Sequence, residues 1–416
     1  MKKNIIIIGG GIIGLSTAYY LLKEGHTVTI IDKSDINNGA SFVNAGYLTP
    51  SHIIPLAAPG MIKKGLKWML NSRSPFYVKP RLDKDFLKWA YYFNRSSTKD
   101  NVTKAIPLLK DINVLSTDLF TSIHKSGELG NFQLEKKGLL MLFKTQKAGD
   151  SEITIAQKVA SIGLDAKEIS LQELNKLQPN LNKEIIGAIH YNCDSHTSPD
   201  QIMHQLKNYL KEQGVSFKLN EEVIDFKFKN SSITSVITKK ETYATDEVVL
   251  ASGSWSQNIA KKLDLKINIQ AGKGYRINVK RPTGIVLPAI LLEAKIAVTP
   301  MNGFTRFAGT MEFSGINHTI SKNRVDAIAN ASMSYYDGLE ITASEKSEVQ
   351  CGLRPVSPDG LPYIGRTSKY KNLTIGTGHA MMGWSLGPAT GKLITEIISN
   401  QKLSMNVDGF HPDRKF

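Results

Sequence analysis

The chain has 416 residues, which is long enough for two or three packed domains. Hydrophobic residues make up 41% of it and charged residues 21%, a composition that excludes a disordered or collagen-like protein. Its two cysteines, Cys193 and Cys351, exclude a disulfide framework and are typical of a reducing compartment. The net charge of +15 favours anionic ligands or surfaces, but the lysines are spread in singles and pairs, unlike those of a nucleic-acid-binding tail.

The N-terminal stretch predicts a dinucleotide-binding unit. An apolar, β-branched run over residues 5–8 predicts a buried strand, and it leads directly into Gly9, Gly11 and Gly14. These three have the G-x-G-x-x-G spacing. In that motif the first glycine allows a tight turn, the second lets the backbone approach a pyrophosphate, and the third lets a helix lie close to the strand.

A helix and a second strand complete this unit. The helix is expected over 12–24, with its free N-terminal amides facing the phosphates. A strand follows at 27–31, and Asp32 ends it at the roughly 20-residue offset where an acid accepts hydrogen bonds from a ribose hydroxyl. A signal peptide is the alternative, because residues 5–22 carry no charge. We favour the nucleotide-binding unit, since the glycines would weaken an apolar helix and no cleavage site follows.

Two patterns in the middle of the chain have both a functional and a structural interpretation. Met61–Leu70 is amphipathic and predicts a helix that either lies on a membrane surface or, as we favour, packs on its own domain. His190, Cys193 and His196 have a spacing that resembles metal ligands, but the sequence lacks a second ligand pair. Because a zinc site needs three or four protein ligands, we expect no metal.

The α/β pattern is interrupted and then resumes. It stops near residue 50 and returns near residue 198. The second part contains a buried strand that ends in small residues at 251–254. A second glycine-rich entry into a helix lies at 376–384. A nicotinamide enzyme normally continues directly with further βα units, whereas a flavin enzyme can thread a substrate domain through its nucleotide domain. The interruption therefore favours a flavin enzyme.

Motifs in fixed order along nearly the whole chain resemble the D-amino-acid oxidase superfamily of FAD enzymes, and within it the flavoprotein subunits of bacterial D-amino-acid dehydrogenases. These motifs are GGGIIG with Asp32, GASFVNAGYLTP, AAPGMIKKGLKWML, TDEVVLASGSW, GKGYRI, GLRPVSPDGLPYIG and NLTIGTGHAMMGW.

The resemblance implies a mixed α/β (α+β) fold with two domains. The first is a Rossmann-like FAD-binding domain assembled from 1–50, 190–265 and 345–416. The second is a substrate domain built on an antiparallel sheet from 51–189 and 266–344.

The resemblance also implies FAD as cofactor. We expect it to be bound non-covalently, because Cys351 is one residue out of register with the cysteine that attaches flavin in sarcosine-type relatives. The implied FAD-binding residues are Gly9, Gly11, Ile12, Ile13 and Gly14 at the pyrophosphate; Asp32 and Lys33 at the ribose; Val223 at the adenine; Ser41, Ala45, Gly46 and Tyr47 at the pyrophosphate and isoalloxazine; and Gly378, His379, Gly383 and Trp384 near the pyrimidine edge of the flavin. Gly253 is a further implied FAD-binding residue.

Two residues are implied at the substrate. Arg354 matches an arginine that binds the substrate carboxylate, and a planar guanidinium suits this role because two parallel hydrogen bonds fix direction as well as charge. The alternative for Arg354 is a structural ion pair between strands. Tyr275 is a weaker candidate for the pocket. Met381 and Met382 stand where some glycine- and proline-type relatives have a second arginine, which suggests a more apolar pocket.

The implied activity is oxidative deamination of D-amino acids, including D-proline or hydroxy-D-proline. A hydride would pass from Cα to flavin N5, and the imine would hydrolyse to a 2-oxo acid and ammonia. We expect a quinone or another carrier as electron acceptor, and a cytoplasmic protein or one peripheral on the inner face of the plasma membrane. The alternatives are amine oxidation in tRNA modification, a glycine- or sarcosine-type oxidase, and an FAD-binding scaffold without activity. No nucleic-acid partner is expected, because concentrated basic-aromatic surface is lacking.

Overall fold

The structure is a computed structural model that describes residues 1–61 and 74–416. The amphipathic segment Met61–Leu70 therefore lies, beyond Met61, outside the described residues. The strands are β1 (Asn4–Ile8), β2 (Thr27–Ile31), β3 (Tyr47–Leu48), β4 (Phe76–Val78), β5 (Leu134–Glu135), β6 (Leu139–Phe143), β7 (Ala166–Ile169), β8 (Gly187–Tyr191), β9 (Ser195–Thr197), β10 (Ser216–Lys218), β11 (Val223–Lys229), β12 (Ser232–Thr238), β13 (Thr242–Ala244), β14 (Glu247–Leu250), β15 (Gln270–Val279), β16 (Ala289–Leu291), β17 (Ile296–Met301), β18 (Phe304–Phe313), β19 (Gln350–Val356), β20 (Tyr363–Arg366) and β21 (Leu373–Thr377).

Helices connect most of these strands, and short 3-10 turns occur at Gly253–Trp255 and Asp408–Phe410. The helices are α1 (Ile12–Lys23), α2 (Ala40–Val43), α3 (Lys84–Ser96), α4 (Lys99–Ser126), α5 (Gln146–Ser161), α6 (Leu171–Leu177), α7 (Pro199–Glu212), α8 (Ser256–Lys262), α9 (Lys322–Tyr335), α10 (Ala343–Ser347) and α11 (Gly387–Ile398).

A six-stranded sheet has the order β10-β2-β1-β14-β21-β20 and is parallel except for β20. Strand β1 lies in its interior, and Ile5 to Ile8 are at most 4% exposed. An unbroken apolar run suits this position, because a parallel strand covered on both faces has no polar side. Helices α1 and α11 pack against each other on one face of the sheet. All six strands come from 1–50, 190–265 and 345–416.

A nine-stranded, mainly antiparallel sheet forms the second layer of the molecule. Its order is β19-β15-β18-β17-β16-β6-β8-β7, and β4 pairs with β18. Two smaller three-stranded sheets, β11-β12-β13 and β3-β9-β5, complete the strands. The predicted mixed α/β fold class is confirmed, with one mainly parallel and one mainly antiparallel large sheet.

Two elements pack against parts of the chain that the prediction assigns to the other domain. Strand β19, Gln350–Val356, is the edge of the antiparallel sheet, where it pairs with β15. Helix α4, Lys99–Ser126, packs against α11, and its Leu109 and Phe120 belong to the same core as Ile5. Both segments contact the two layers, since backbone pairing or side-chain burial, and not chain order, decides where an element belongs. The domain boundaries themselves stay a prediction.

Candidate active site

A cavity of about 390 Å³ lies where the two large sheets meet. The carboxyl ends of β1 and β2 form one side of it, and β15 and β19 form the other. Ligands of open parallel sheets bind outside the carboxyl ends of the strands, so this position is the expected one for a nucleotide. Of the residues proposed from the sequence, thirteen line the cavity: Gly9, Gly11, Ile12, Ile13, Asp32, Lys33, Ser41, Val223, Gly253, Arg354, His379, Gly383 and Trp384.

The three glycines of the N-terminal motif occupy positions where a side chain would collide or block the cavity. Gly9 has a φ of +111°, and a Cβ there would lie 2.5 Å from the carbonyl oxygen of Ala251. A Cβ on Gly14 would lie 1.9 Å from the oxygen of Gly9, so Gly14 sets the close contact of α1 with the strand. Gly11 is different, because its Cβ would meet only the Ser41 hydroxyl, at 3.2 Å, and would stand in the cavity lining. The backbone at Gly11 is therefore open to a ligand.

The N-terminus of α1 faces this cavity. The amide of Ile12 donates to the Ser41 hydroxyl at 3.0 Å. Among the described residues no acceptor is found for the Ile13 amide, which belongs to the first helical turn, where amides lack intrahelical partners. Unpaired amides and the positive end of the helix dipole favour an anion at this point. The arrangement fits a pyrophosphate.

Asp32 directly follows β2 and lines the cavity. Its carboxylate accepts hydrogen bonds from the Gly10 amide at 2.7 Å and from the Ser34 amide at 2.8 Å. These contacts fix the carboxylate and leave it acceptor capacity, since an ionised carboxylate has about four lone-pair sites. The ammonium of Lys33 lies 3.6 Å from the centre of the Trp255 ring. This end of the cavity fits a ribose and an aromatic base.

Arg354 lines the opposite side of the cavity. It is half-buried, and Nη1 donates to the carbonyl oxygen of Thr310 at 2.7 Å. In the part of the chain that the structure describes, no carboxylate pairs with Arg354. Burial lowers the pKa of Arg354 to about 10, so the guanidinium is charged at neutral pH. The structural ion pair considered from the sequence is thus absent from the described residues, and an uncompensated cation of this kind favours an anionic ligand.

Two neighbours fix the direction of this guanidinium. Gly274 lies on β15, and a Cβ there would come within 2.4 Å of both terminal nitrogens of Arg354. Between β15 and β18 the register shifts, so that Thr310 and Met311 together face Gly274. Thr310 has a φ of +70°, which is unfavourable for a β-branched residue. The resulting bulge turns the Thr310 carbonyl to Arg354, and the glycine leaves room for it.

The remaining wall comes from the loop between β21 and α11. His379 is buried and its Nε2 lies 2.9 Å from the Thr390 hydroxyl. Burial lowers the pKa of His379 to about 3, so the ring is neutral at physiological pH. The Trp384 indole donates to the Thr197 hydroxyl at 2.9 Å. Met381 is 55% exposed and lines the cavity, whereas Met382 packs against the core of the parallel sheet.

Several residues proposed from the sequence lie near the cavity without lining it. Gly46 packs against the carbonyl of Thr197, and the Tyr47 hydroxyl donates to the carbonyl oxygens of Ala289 and Val298, both at 2.8 Å. Residues 45–47 thus join the two layers of the fold. The others in this group are Gly14, on the inner side of α1; Ala45, whose oxygen accepts from Thr299; and Gly378, which packs on the Tyr363 ring.

The structure does not bring Tyr275 to the cavity. The side chain is fully buried, and its hydroxyl donates to Glu312 at 2.7 Å. Glu312 also forms ion pairs with Lys273 and Arg324, each at 3.1 Å. Successive strand residues face opposite sides of a sheet, so when Gly274 faces Arg354, Tyr275 must face away from it.

Sequence reasoning missed His318, Trp255 and Thr310 as parts of the site. His318 lies on an exposed loop after β18, lines the cavity, and stacks on Trp255 at 6.3 Å between ring centres. No local pattern indicates that His318 and Thr310 lie at the site, because their positions depend on how segments distant in sequence pack together. For Trp255 the sequence offered one indication, because this residue directly follows the small residues at 251–254 that end a buried strand.

Cys351 is not part of the cavity lining. It is half-buried, and its Sγ lies 3.6 Å from the carbonyl oxygen of His318. His190 and His196, from the metal-like pattern, each contact a backbone carbonyl, of Lys137 and Pro300 respectively. Within residues 1–61 and 74–416, no group of three or more His, Cys, Asp or Glu side chains could hold a metal ion.

The glycine turn and the cavity at the carboxyl ends of the parallel strands are those expected of a dinucleotide-binding enzyme. Residues 4–397 match the family described as DAO, FAD dependent oxidoreductase. The chain belongs to this family and is an FAD-dependent oxidoreductase.

Relatives and solved structures match this chain over nearly its full length. A D-amino acid dehydrogenase of Helicobacter pylori is 32% identical over 98% of each chain, and one of Vibrio atlanticus is 30% identical over 97% of this chain and 98% of its own. Glycine oxidase from Geobacillus kaustophilus has a TM-score of 0.80 at 21% identity, over 100% of this chain and 99% of its own. L-proline dehydrogenase from P. horikoshii has a TM-score of 0.74 at 20% identity, over 99% of this chain and 97% of its own. The structural comparisons show the fold.

Proposed function

We propose that this protein is a D-amino-acid dehydrogenase that converts D-amino acids to 2-oxo acids and ammonia. The observation that carries this proposal is the half-buried guanidinium of Arg354, which lines the cavity and has no carboxylate partner among the described residues. The curated relatives named D-amino acid dehydrogenase support the substrate class.

Arg354 would orient the substrate through its carboxylate. The Thr310 carbonyl takes one N–H of Nη1, which leaves the guanidinium with further donors for two carboxylate oxygens. A bidentate pair fixes the plane of the carboxylate and therefore the direction of the Cα–H bond. Such positioning is the main contribution that a protein makes when a cofactor performs the redox chemistry.

The chain's other residues would hold the cofactor and set the electrostatics. Gly11, the α1 N-terminus and Ser41 suit the pyrophosphate, and Asp32 suits the ribose. FAD, when bound, supplies the two-electron acceptor for the Cα–H bond. Because His379 is neutral, it adds no positive charge beside that of Arg354.

The substrate side chain would lie against an apolar wall. The cavity is lined there by Met381, Leu353 and Val43. Met381 stands where some glycine- and proline-type relatives have an arginine, which would contribute a second anion-binding group. We therefore propose a preference for neutral, apolar D-amino acids or D-proline over glycine, which has no side chain to bury.

We propose a quinone or another carrier as electron acceptor, in a protein that is cytoplasmic or peripheral on the inner membrane face. The name dehydrogenase borne by the relatives supports a carrier over oxygen. Within the described residues, no helix combines the length and the hydropathy needed to cross a bilayer. The test is to compare dye or quinone reduction with peroxide formation on one substrate; comparable rates in air alone would contradict a dehydrogenase.

An anaerobic screen of D- and L-amino acids, glycine and N-methylated amines tests the proposed activity directly. Bleaching of the flavin absorbance by D-amino acids, with little by L-isomers, is expected. Bleaching only by glycine or sarcosine would favour the glycine-type alternative. A salt-dependent complex with tRNA, and no bleaching by free amino acids, would favour the RNA-modifying alternative.

A further inference from the structure

Helix α3 presents an exposed face that no other described element covers. It begins with Asp83 as N-cap, whose side chain accepts from the amides of Asp85 and Phe86. Its inner side is buried: the Trp89 indole donates to the carbonyl oxygen of Val356 at 2.9 Å, and Phe93 stacks on Trp89 at 5.0 Å. The helix is therefore fixed to the edge strand β19, two residues from Arg354.

The exposed side of α3 combines large apolar groups with unpaired cations. Leu87 is 53% exposed and Tyr91 is 58% exposed, and Leu82, just before the helix, is 100% exposed. At 100° per residue, the exposed helical positions fall within an arc of about 120°. We call them, together with Leu82, the α3 face: Leu82, Lys84, Leu87, Lys88, Tyr91, Asn94 and Arg95.

Charge on the α3 face is one-sided. The two acids of this region point to other partners, since Asp83 pairs with Arg81 at 3.2 Å and Asp85 pairs with Lys261. Lys84, Lys88 and Arg95 have no acidic partner within residues 1–61 and 74–416. Around the helix, the row Lys84–Lys88–Arg95 runs beside the apolar row Leu87–Tyr91.

We propose that the α3 face is a docking surface for an anionic lipid bilayer. An apolar row would enter the boundary between headgroups and acyl chains, while the adjacent cations would contact lipid phosphates. The charge complementarity selects this occupant: three unpaired cations, with no unpaired acid on the face, suit an anionic surface and oppose a second, equally basic copy of a chain with net charge +15. This inference deepens the proposed peripheral location and rests on it.

The test is sedimentation of the FAD-loaded full chain with vesicles, without substrate, so that its result is independent of the proposed amino-acid chemistry. The vesicles are phosphatidylcholine alone or with one third phosphatidylglycerol. Binding to the anionic vesicles at low salt is expected, with release at about 0.5 M salt, where the Debye length falls to a few ångströms.

Two variants of the α3 face and one matched control locate the contact. Lys84→Glu/Lys88→Glu is expected to weaken vesicle binding by about 30-fold or more, from about 1 kcal/mol for each lost cation. Leu87→Ser/Tyr91→Ser should weaken binding and leave the remaining salt dependence unchanged. The control Lys147→Glu/Lys158→Glu makes the same charge change on exposed positions of α5, beside the opposite edge of the antiparallel sheet, and should bind nearly as the natural protein does.

Three results would overturn the proposal. One is that the natural protein does not bind anionic vesicles at low salt. Another is that the α5 control weakens binding as much as Lys84→Glu/Lys88→Glu, which would show diffuse attraction instead of a docking surface. The last is a dimer in solution that dissociates in the Leu87→Ser/Tyr91→Ser variant, which would assign the face to a second copy of the chain. Flavin content and circular dichroism near the natural values confirm that the variants are folded.

Discussion

At Gly274 a missing side chain makes room for the guanidinium of Arg354. A Cβ at position 274 would come within 2.4 Å of two guanidinium nitrogens. Gly274→Ala should therefore displace Arg354 from the Thr310 carbonyl, although alanine can adopt the extended backbone conformation of this strand. The expected result is about a tenfold or larger rise in KM for D-amino acids, with near-normal flavin content. The KM for the corresponding amides should change little, and an equal change for both would show that Gly274 acts only through packing.

Gly11 and Gly14 should fail in different ways when they are replaced by valine. Gly11 lines the cavity with little around its Cβ position, so Gly11→Val should yield folded but colourless protein, because the side chain occupies the approach of the pyrophosphate. Gly14→Val should destabilise the fold itself, since a Cβ would lie 1.9 Å from the Gly9 oxygen. Flavin absorbance and circular dichroism on the two variants check this pair; yellow Gly11→Val protein would contradict the assigned cofactor site.

The turn between β8 and β9 is tied to the segment after β3 by a buried carboxyl. Asp194 is 1% exposed and accepts hydrogen bonds from the Ser51 hydroxyl at 2.6 Å and the Ser51 amide at 3.1 Å. Burial raises the pKa of Asp194 to about 7. A pKa raised on folding contributes stability that is present below the unfolded value near 4 and is lost as the pH rises through 7.

Asp194→Asn should therefore reduce the dependence of stability on pH. Between pH 5.5 and 8 the natural protein should lose about 2 kcal/mol of unfolding free energy at this site, and the variant should not. Thermal melts of both proteins at the two pH values measure the difference. Parallel losses of Tm in both proteins would mean that Asp194 is ionised in the folded state at pH 5.5.

At the scale of the whole molecule, local patterns predicted the parallel sheet well. The run Ile5–Ile8, the glycine turn and Asp32 are neighbours in sequence, so their geometry depends on local backbone preferences. The motif GLRPVSPDGLPYIG indicated Arg354 as a candidate substrate-binding residue, and in the structure Arg354 lines the cavity. Tyr275 and His318 could not be assigned in this way, because their surroundings depend on the pairing of β15 with β18 and β19.

The central claim is that Arg354 binds the substrate carboxylate, and Arg354→Ala with two matched substrates tests it most directly. A charge-assisted bidentate contact is worth about 1.5–3 kcal/mol, so the KM for a D-amino acid should rise roughly 10–150-fold while flavin content stays near normal. Arg354→Lys should recover only part of this loss, because a point charge cannot hold two oxygens in one plane. The D-amino acid and its amide should differ strongly with the natural arginine and little with alanine. Equal losses for acid and amide, with lower Tm and weaker flavin retention, would contradict the claim and make Arg354 a structural residue.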